Sequence, residues 1–120
     1  MAVRRIKTYT GAQGYVYEYY FVGKRTALPA DSRAKATEYV FDVSFDRKTT
    51  FAVSVFLPEE SVTAWALAHG RGLTDAEQYG AVKMRLFQAF DEVENMLKDG
   101  RRLNVEAAAL DQLLASLGVD

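Results

Sequence analysis

The hydrophobic pattern of this chain changes its period once, near Pro58. Before that point apolar side chains alternate with polar ones, which is the pattern of strands that bury one face. After it they recur every three to four residues, which is typical of helices lying on a core. This order predicts an α+β fold, in which a four-stranded antiparallel sheet of two hairpins is followed by three helices packed on one face. We expect a single domain over residues 1–120, with a sheet half at 1–58 and a helical half at 59–120.

The first predicted hairpin turns at the sequence Gly-Ala-Gln-Gly that follows Thr10. The predicted strands are residues 3–10, 15–23, 37–45 and 50–58. Two registers fit the first pair. Pairing Thr10 with Tyr15 places Lys7 opposite Glu18, and we prefer it because opposite charges then meet across the strands. Pairing Tyr9 with Tyr15 instead places cations among the aromatic rings. Residues 24–36, between the hairpins, are polar and are expected to form an exposed loop.

The second predicted hairpin is defined by its apolar face. Matching the apolar sets pairs Phe45 with Phe51 and Val43 with Val53, because a slip of one residue would turn every apolar side chain to the other face. We expect the helices to cover this apolar face, which includes Phe41.

Three helices are predicted in the second half. The first, at residues 58–70, ends at Gly70, and the second, at 73–100, starts at a capping box of Thr74 and Glu77. The third, at 104–118, is expected to start with Asn104 as its cap and to bury a leucine side.

Composition excludes several classes of function. The chain has no cysteine, so disulfides, thiolate metal sites and cysteine nucleophiles are excluded, and its single histidine, His69, argues against a zinc or copper site. We therefore expect no metal and no cofactor. No apolar run approaches the roughly 20 residues that span a bilayer, so we expect a cytoplasmic protein without a membrane partner.

Charge is divided unevenly between the halves. Residues 1–58 carry nine Lys and Arg against five Asp and Glu, and residues 59–120 carry six against eleven, for a net charge of −1. The overall balance argues against a dedicated nucleic-acid binder, although a basic half leaves an anionic partner open.

The tyrosine-rich stretch at residues 14–25 has two interpretations. Both sides of this strand are largely apolar, which favours a part-buried central strand. The alternative is an aromatic platform that stacks the bases of single-stranded nucleic acid. We favour the first interpretation because tyrosine suits positions where the ring is buried and the hydroxyl reaches solvent.

Three groups of residues are candidates for binding. A sheet–helix pocket for a small apolar or aromatic ligand is predicted from Tyr17, Tyr19, Phe41, Trp65 and Phe90. A polar patch on the other sheet face is predicted from Glu18, Asp42, Ser44 and Ser54. Arg71, between two glycines before a helix, is a candidate anion-binding residue. No catalytic residue is predicted.

Three functional hypotheses follow from these features. The first is a non-enzymatic interaction module, homodimeric through an aromatic-rich sheet face or through the terminal helix. The second is a small-ligand-binding domain, with or without a catalysed reaction, and the third is a single-stranded nucleic-acid binder.

Overall fold

A computed structural model of the protein describes residues 5–28 and 35–119. These residues form a mixed five-stranded sheet and four helices, which confirms the predicted α+β class with one strand and one helix more than expected. Neighbouring strands follow chain order and are antiparallel, except for the last pair, which is parallel. The elements are β1 (Lys7–Thr10), β2 (Val16–Ala27), β3 (Ala36–Ser44), β4 (Phe51–Pro58), α1 (Glu59–His69), α2 (Asp75–Glu92), α3 (Met96–Asp99), β5 (Arg102–Asn104) and α4 (Ala107–Ser116).

The helices cover one face of the sheet, which we call the inner face. Phe41 and Val53 lie on it with 0% of their surface exposed, as the alternation of the strands predicts. The core joins this face to side chains of α1, α2 and α4. Burial of one such side chain contributes about 1.5–3 kcal/mol, so this layer supplies much of the stability of the fold. We call the opposite side of the sheet the outer face.

The predicted end of the first helix and the predicted start of the second are both confirmed. Gly70 stops α1 in the left-handed conformation, with φ of 73°, and its N–H donates to the carbonyl of Ala66. Thr74 and Glu77 form the capping box of α2, in which the backbone N–H of each residue donates to the side chain of the other. Local side-chain chemistry therefore sets these boundaries.

The expectation of one helix over residues 73–100 is wrong, because α2 ends at Glu92. The backbone carbonyl of Asp91 accepts a hydrogen bond from Gln13 Nε2 at 3.0 Å. In a continuous helix that carbonyl would accept from the amide of Asn95. Asn95 instead caps α3, where its side chain accepts from the N–H of Lys98.

The predicted start of the last helix is also wrong, because Asn104 lies in β5 rather than at a helix cap. β5 pairs with the edge of β4, and the N–H of Val105 just beyond it donates to the carbonyl of Phe56. Leu103 and Val105 are buried. Pairing of an otherwise open sheet edge, together with this burial, outweighs helix formation here. The helix begins at Ala107.

Both predicted registers of the first hairpin are wrong. The structure pairs Thr10 with Val16 and Tyr9 with Tyr17, which places Lys7 opposite Tyr19. Tyr9 consequently points to the inner face, where its ring stacks on a phenylalanine of α2. Packing against the helix therefore selects the register, and cross-strand pairing does not.

The second hairpin is displaced by two residues from its predicted register. Val43 pairs with Phe51 and Phe41 pairs with Val53, so every side chain keeps its predicted face. The Asp46 carboxylate accepts hydrogen bonds from the backbone N–H groups of Lys48 and Thr49, at 2.8 Å each. These bonds stabilise the turn between β3 and β4, which is longer than predicted.

The expectation of an exposed loop at residues 24–36 is wrong at the two ends of the segment, which continue β2 and β3 and pair with each other. A bulge at Val22 shifts the register, and beyond it Arg25 lies opposite Glu38 with 2.8 Å between Nε and Oε1. Residues 29–34 lie outside the described residues.

Candidate interaction surface on the sheet

The outer face of the sheet carries no helix within the described residues. The core takes its β2, β3 and β4 members from the inner face alone. Along β2 and β3, Glu18, Tyr20, Val40 and Asp42 alternate with these buried residues and are half-buried.

The predicted polar patch lies on the outer face, and three of its four residues lie together. Glu18 is directly opposite Ser44, and Asp42 is the next outer residue of β3. All three line a shallow groove of about 170 Å³ with Arg47, whose Nε is 3.6 Å from Glu18 Oε1. Ser54 lies apart, opposite Val40. We call this group of two carboxylates and one guanidinium the acidic end.

A second polar group at the other end of the outer face is centred on Glu38. Its Oε1 accepts from Arg25 Nε at 2.8 Å, and its Oε2 accepts from Ser54 Oγ at 2.7 Å. The hydrogen bond from Arg25 is the main reason why the pKa of Glu38 is lowered, and Arg102 adds to the effect. The Arg102 guanidinium lies 4.9 Å from the ring centre of Phe56. We call this group of two guanidiniums and one carboxylate the basic end.

Sequence reasoning did not find the basic end. The alternation that places Asp42 on the outer face also places Glu38 there, so that residue could have been found. Arg25 and Arg102 could not, because the first lay in an expected loop and the second lay before an expected helix. The two ends are six residues apart along β3, from Glu38 to Ser44, which corresponds to about 20 Å.

The five residues of the predicted ligand pocket are all buried in the core. Tyr17 and Phe90 stack with ring centres 4.2 Å apart, and Tyr19 packs at a tilt against Phe90. Phe41 lies in the same layer, whereas Trp65 contacts the end of α1. Burial of these tyrosine rings also removes them from any base-stacking platform. A ligand role for the five residues stays a prediction.

Trp65 lies within a layered group that includes the predicted anion-binding residue. The Arg71 guanidinium lies 5.0 Å from the Trp65 ring centre and forms two hydrogen bonds with the Glu77 carboxylate, at 3.0 and 2.9 Å. The His69 ring also stacks on the Trp65 indole, with ring centres 4.1 Å apart. The Nε2 atom of His69 is 2.9 Å from Asp111 Oδ1. An external anion would compete with Glu77 for Arg71, so anion binding stays a prediction that this geometry does not favour.

The described residues contain no group of three or more His, Cys, Asp or Glu side chains that could hold a metal ion. None of the helices in residues 5–28 and 35–119 has both the length and the apolar character needed to cross a bilayer. Comparison of the chain with protein-family models, curated proteins and solved structures found no significant match.

Proposed function

We propose that this protein is a non-enzymatic interaction module that forms a homodimer by pairing two outer faces. The observation that carries the proposal is a sheet face that no helix of the described residues covers, with opposite net charge at its two ends. The terminal helix is less suited to this role, because its leucine side is already used in the core through Leu110, Leu113 and Leu114.

The charge arrangement favours a second copy of the same chain as the occupant. A two-fold axis between the two sheets, perpendicular to the strands, brings the acidic end of each copy over the basic end of the other. Glu18 then faces Arg25 of the partner subunit, and the reciprocal pair forms by symmetry. Val40 lies near the axis, so the centre of the interface is apolar and its rim is charged, as in most protein interfaces.

The size of the outer face sets the expected affinity. Strands about 4.8 Å apart with about 3.4 Å per residue give a face of roughly 500 Å². A standard stable interface buries about 800 Å² on each partner. We therefore expect a weak dimer with a dissociation constant on the order of micromolar, and charged rims make it salt-dependent.

Light scattering and sedimentation across a concentration series test the proposal. We expect the mass to rise from one chain to two between about 1 and 100 µM and the midpoint to move to higher concentration in high salt. Val40→Lys should abolish the dimer, because it places an unpaired ammonium at the centre of the interface.

Leu67→Lys is the matched control, since Leu67 is 82% exposed on α1 and far from the outer face. Circular dichroism establishes that both variants are folded. A one-chain mass at every concentration, or a dimer that Val40→Lys leaves unchanged, would refute self-association through this face.

A further inference from the structure

The end of the sheet where β2 begins and β3 ends carries a cleft that the dimer proposal does not use. The cleft has a volume of about 430 Å³. Tyr15, Tyr17 and Phe45 line one side of it, and the segment from Glu94 to Asp99 lines the other. Tyr17 belongs to the inner face, so this aromatic cleft is separate from the outer face.

The three rings of the aromatic cleft pack against one another at steep angles. Their centres are 6.2 Å apart for Tyr15 and Tyr17, 6.1 Å for Tyr15 and Phe45, and 6.5 Å for Tyr17 and Phe45. The ring planes are steeply inclined, by 67°, 58° and 71° in the same order. A cation held between Tyr15 and Phe45 can lie within about 6 Å of both ring centres, which is the range of cation–π attraction.

The rings differ in how freely a ligand can reach them. Tyr17 is 2% exposed and is held from behind by its stack on Phe90, so it forms a fixed floor. Tyr15 and Phe45 are 45% and 40% exposed. Packing in the core therefore explains the position of Tyr17. Much of the Tyr15 and Phe45 rings remains in contact with solvent.

The charge of the opposite side favours a cation. Glu94 and Asp99 contribute two carboxylates and Lys98 one ammonium. Within the described residues, no Lys or Arg nitrogen lies within 4.0 Å of either carboxylate. Both carboxylates are thus available to a ligand, and the net charge of this side is negative.

We propose that the aromatic cleft binds a small quaternary ammonium compound, whose alkylated nitrogen lies against the two exposed rings, Tyr15 and Phe45, above the buried Tyr17. Quaternary ammonium groups suit such a site because they are large, weakly hydrated cations that lose little hydration when they contact aromatic faces. The two carboxylates provide long-range attraction to the same charge.

Titration with choline, followed by NMR chemical shifts and by calorimetry, tests the proposal. The decisive comparison is 3,3-dimethyl-1-butanol, which has the same shape as choline but carries a carbon in place of the charged nitrogen. We expect choline to bind about tenfold more tightly, which corresponds to about 1.4 kcal/mol. Equal affinities, or no saturable binding of choline, would overturn the proposal.

Variants of the two exposed rings locate the site. Tyr15→Leu and Phe45→Leu keep apolar volume but remove one aromatic face, so each should weaken choline binding by about two- to fivefold. Tyr15→Phe should bind choline as the parent does. Phe21→Leu is the matched control, because Phe21 is a ring of β2 that is 36% exposed and lies outside the cleft. Unchanged choline affinity in both leucine variants, with native circular dichroism, would also overturn it.

Discussion

Tyr9 donates a hydrogen bond of 2.9 Å to Asp91, which joins the edge strand β1 to the last turn of α2. The second carboxylate oxygen of Asp91 accepts a hydrogen bond from the backbone N–H of Ala12 at 2.9 Å. The backbone carbonyl of Asp91 accepts one from the side-chain Nε2 of Gln13. One aspartate thus binds both the strand and the turn that follows it. This contact explains the register of the first hairpin and the early end of α2 together.

Tyr9→Phe should destabilise the protein by about 1 kcal/mol, because it removes the hydrogen bond to Asp91 and leaves the ring in place. The stack on Phe87, at 4.4 Å, is retained in this variant. Urea unfolding measures the free energy of unfolding. Tyr15→Phe, which removes the hydroxyl of a half-exposed tyrosine, is the control and should change stability by less than about 0.5 kcal/mol. Equal effects of the two changes would show that the Asp91 contact does not stabilise the fold.

Gly11→Ala should cost about 1–3 kcal/mol through overpacking. A Cβ at this position would lie 2.8 Å from the carbonyl oxygen of Phe90, a backbone atom in the last turn of α2, which moves aside less easily than the end of a side chain. Gly72→Ala is the control, since its added Cβ would meet nothing within 4 Å. Thermal unfolding of the two variants should separate them clearly, and a Gly11 variant as stable as the control would contradict the close approach.

Charge reversal tests the geometry of the proposed dimer. E18K and R25E should each prevent self-association, because each brings like charges together twice across the two-fold axis. A mixture of the two variants should form a heterodimer, because both pairs are then attractive. Sedimentation of the separate and mixed proteins measures the effect. A mixture that stays at the mass of one chain, while the parent dimerises, would exclude this orientation of the two sheets.

Glu77→Gln should destabilise the protein at neutral pH but hardly at low pH. Hydrogen bonds from Arg71 and from the backbone of Thr74 hold the pKa of Glu77 at about 2, below its usual value of 4.5. A lowered pKa in the folded state means that the ionised group stabilises the fold. This stabilisation is complete above about pH 4.5 and is lost as the pH falls towards 2.

The measurement for Glu77 is the difference in melting temperature between parent and Glu77→Gln at about pH 6 and about pH 2.5. We expect the difference to shrink at the lower pH. Added salt should also reduce it at pH 6, since the carboxylate is close to solvent. A difference that is the same at both pH values would show that ionisation of Glu77 does not contribute.

Several features of the protein could be predicted from short stretches of sequence. The faces of β3 and β4, the capping box at Thr74 and the stop of α1 at Gly70 depend on periodicity and on side chains within a few residues. The same alternation placed Glu18 and Asp42 on one face of the sheet. These features were predictable because their energies arise from neighbours in the chain.

Other features depend on contacts between distant segments, and no local pattern encodes them. The register of the first hairpin and the end of α2 depend on Asp91, which lies about 80 residues beyond the turn that it binds. Similarly, β5 forms because it pairs with the free edge of β4. Arg25 lies opposite Glu38 because a bulge in β2 shifts the register. Burial and hydrogen bonding between distant segments outweighed local preference at these places, because one hydrogen bond contributes about 1 kcal/mol, which is more than most residues differ in helix propensity.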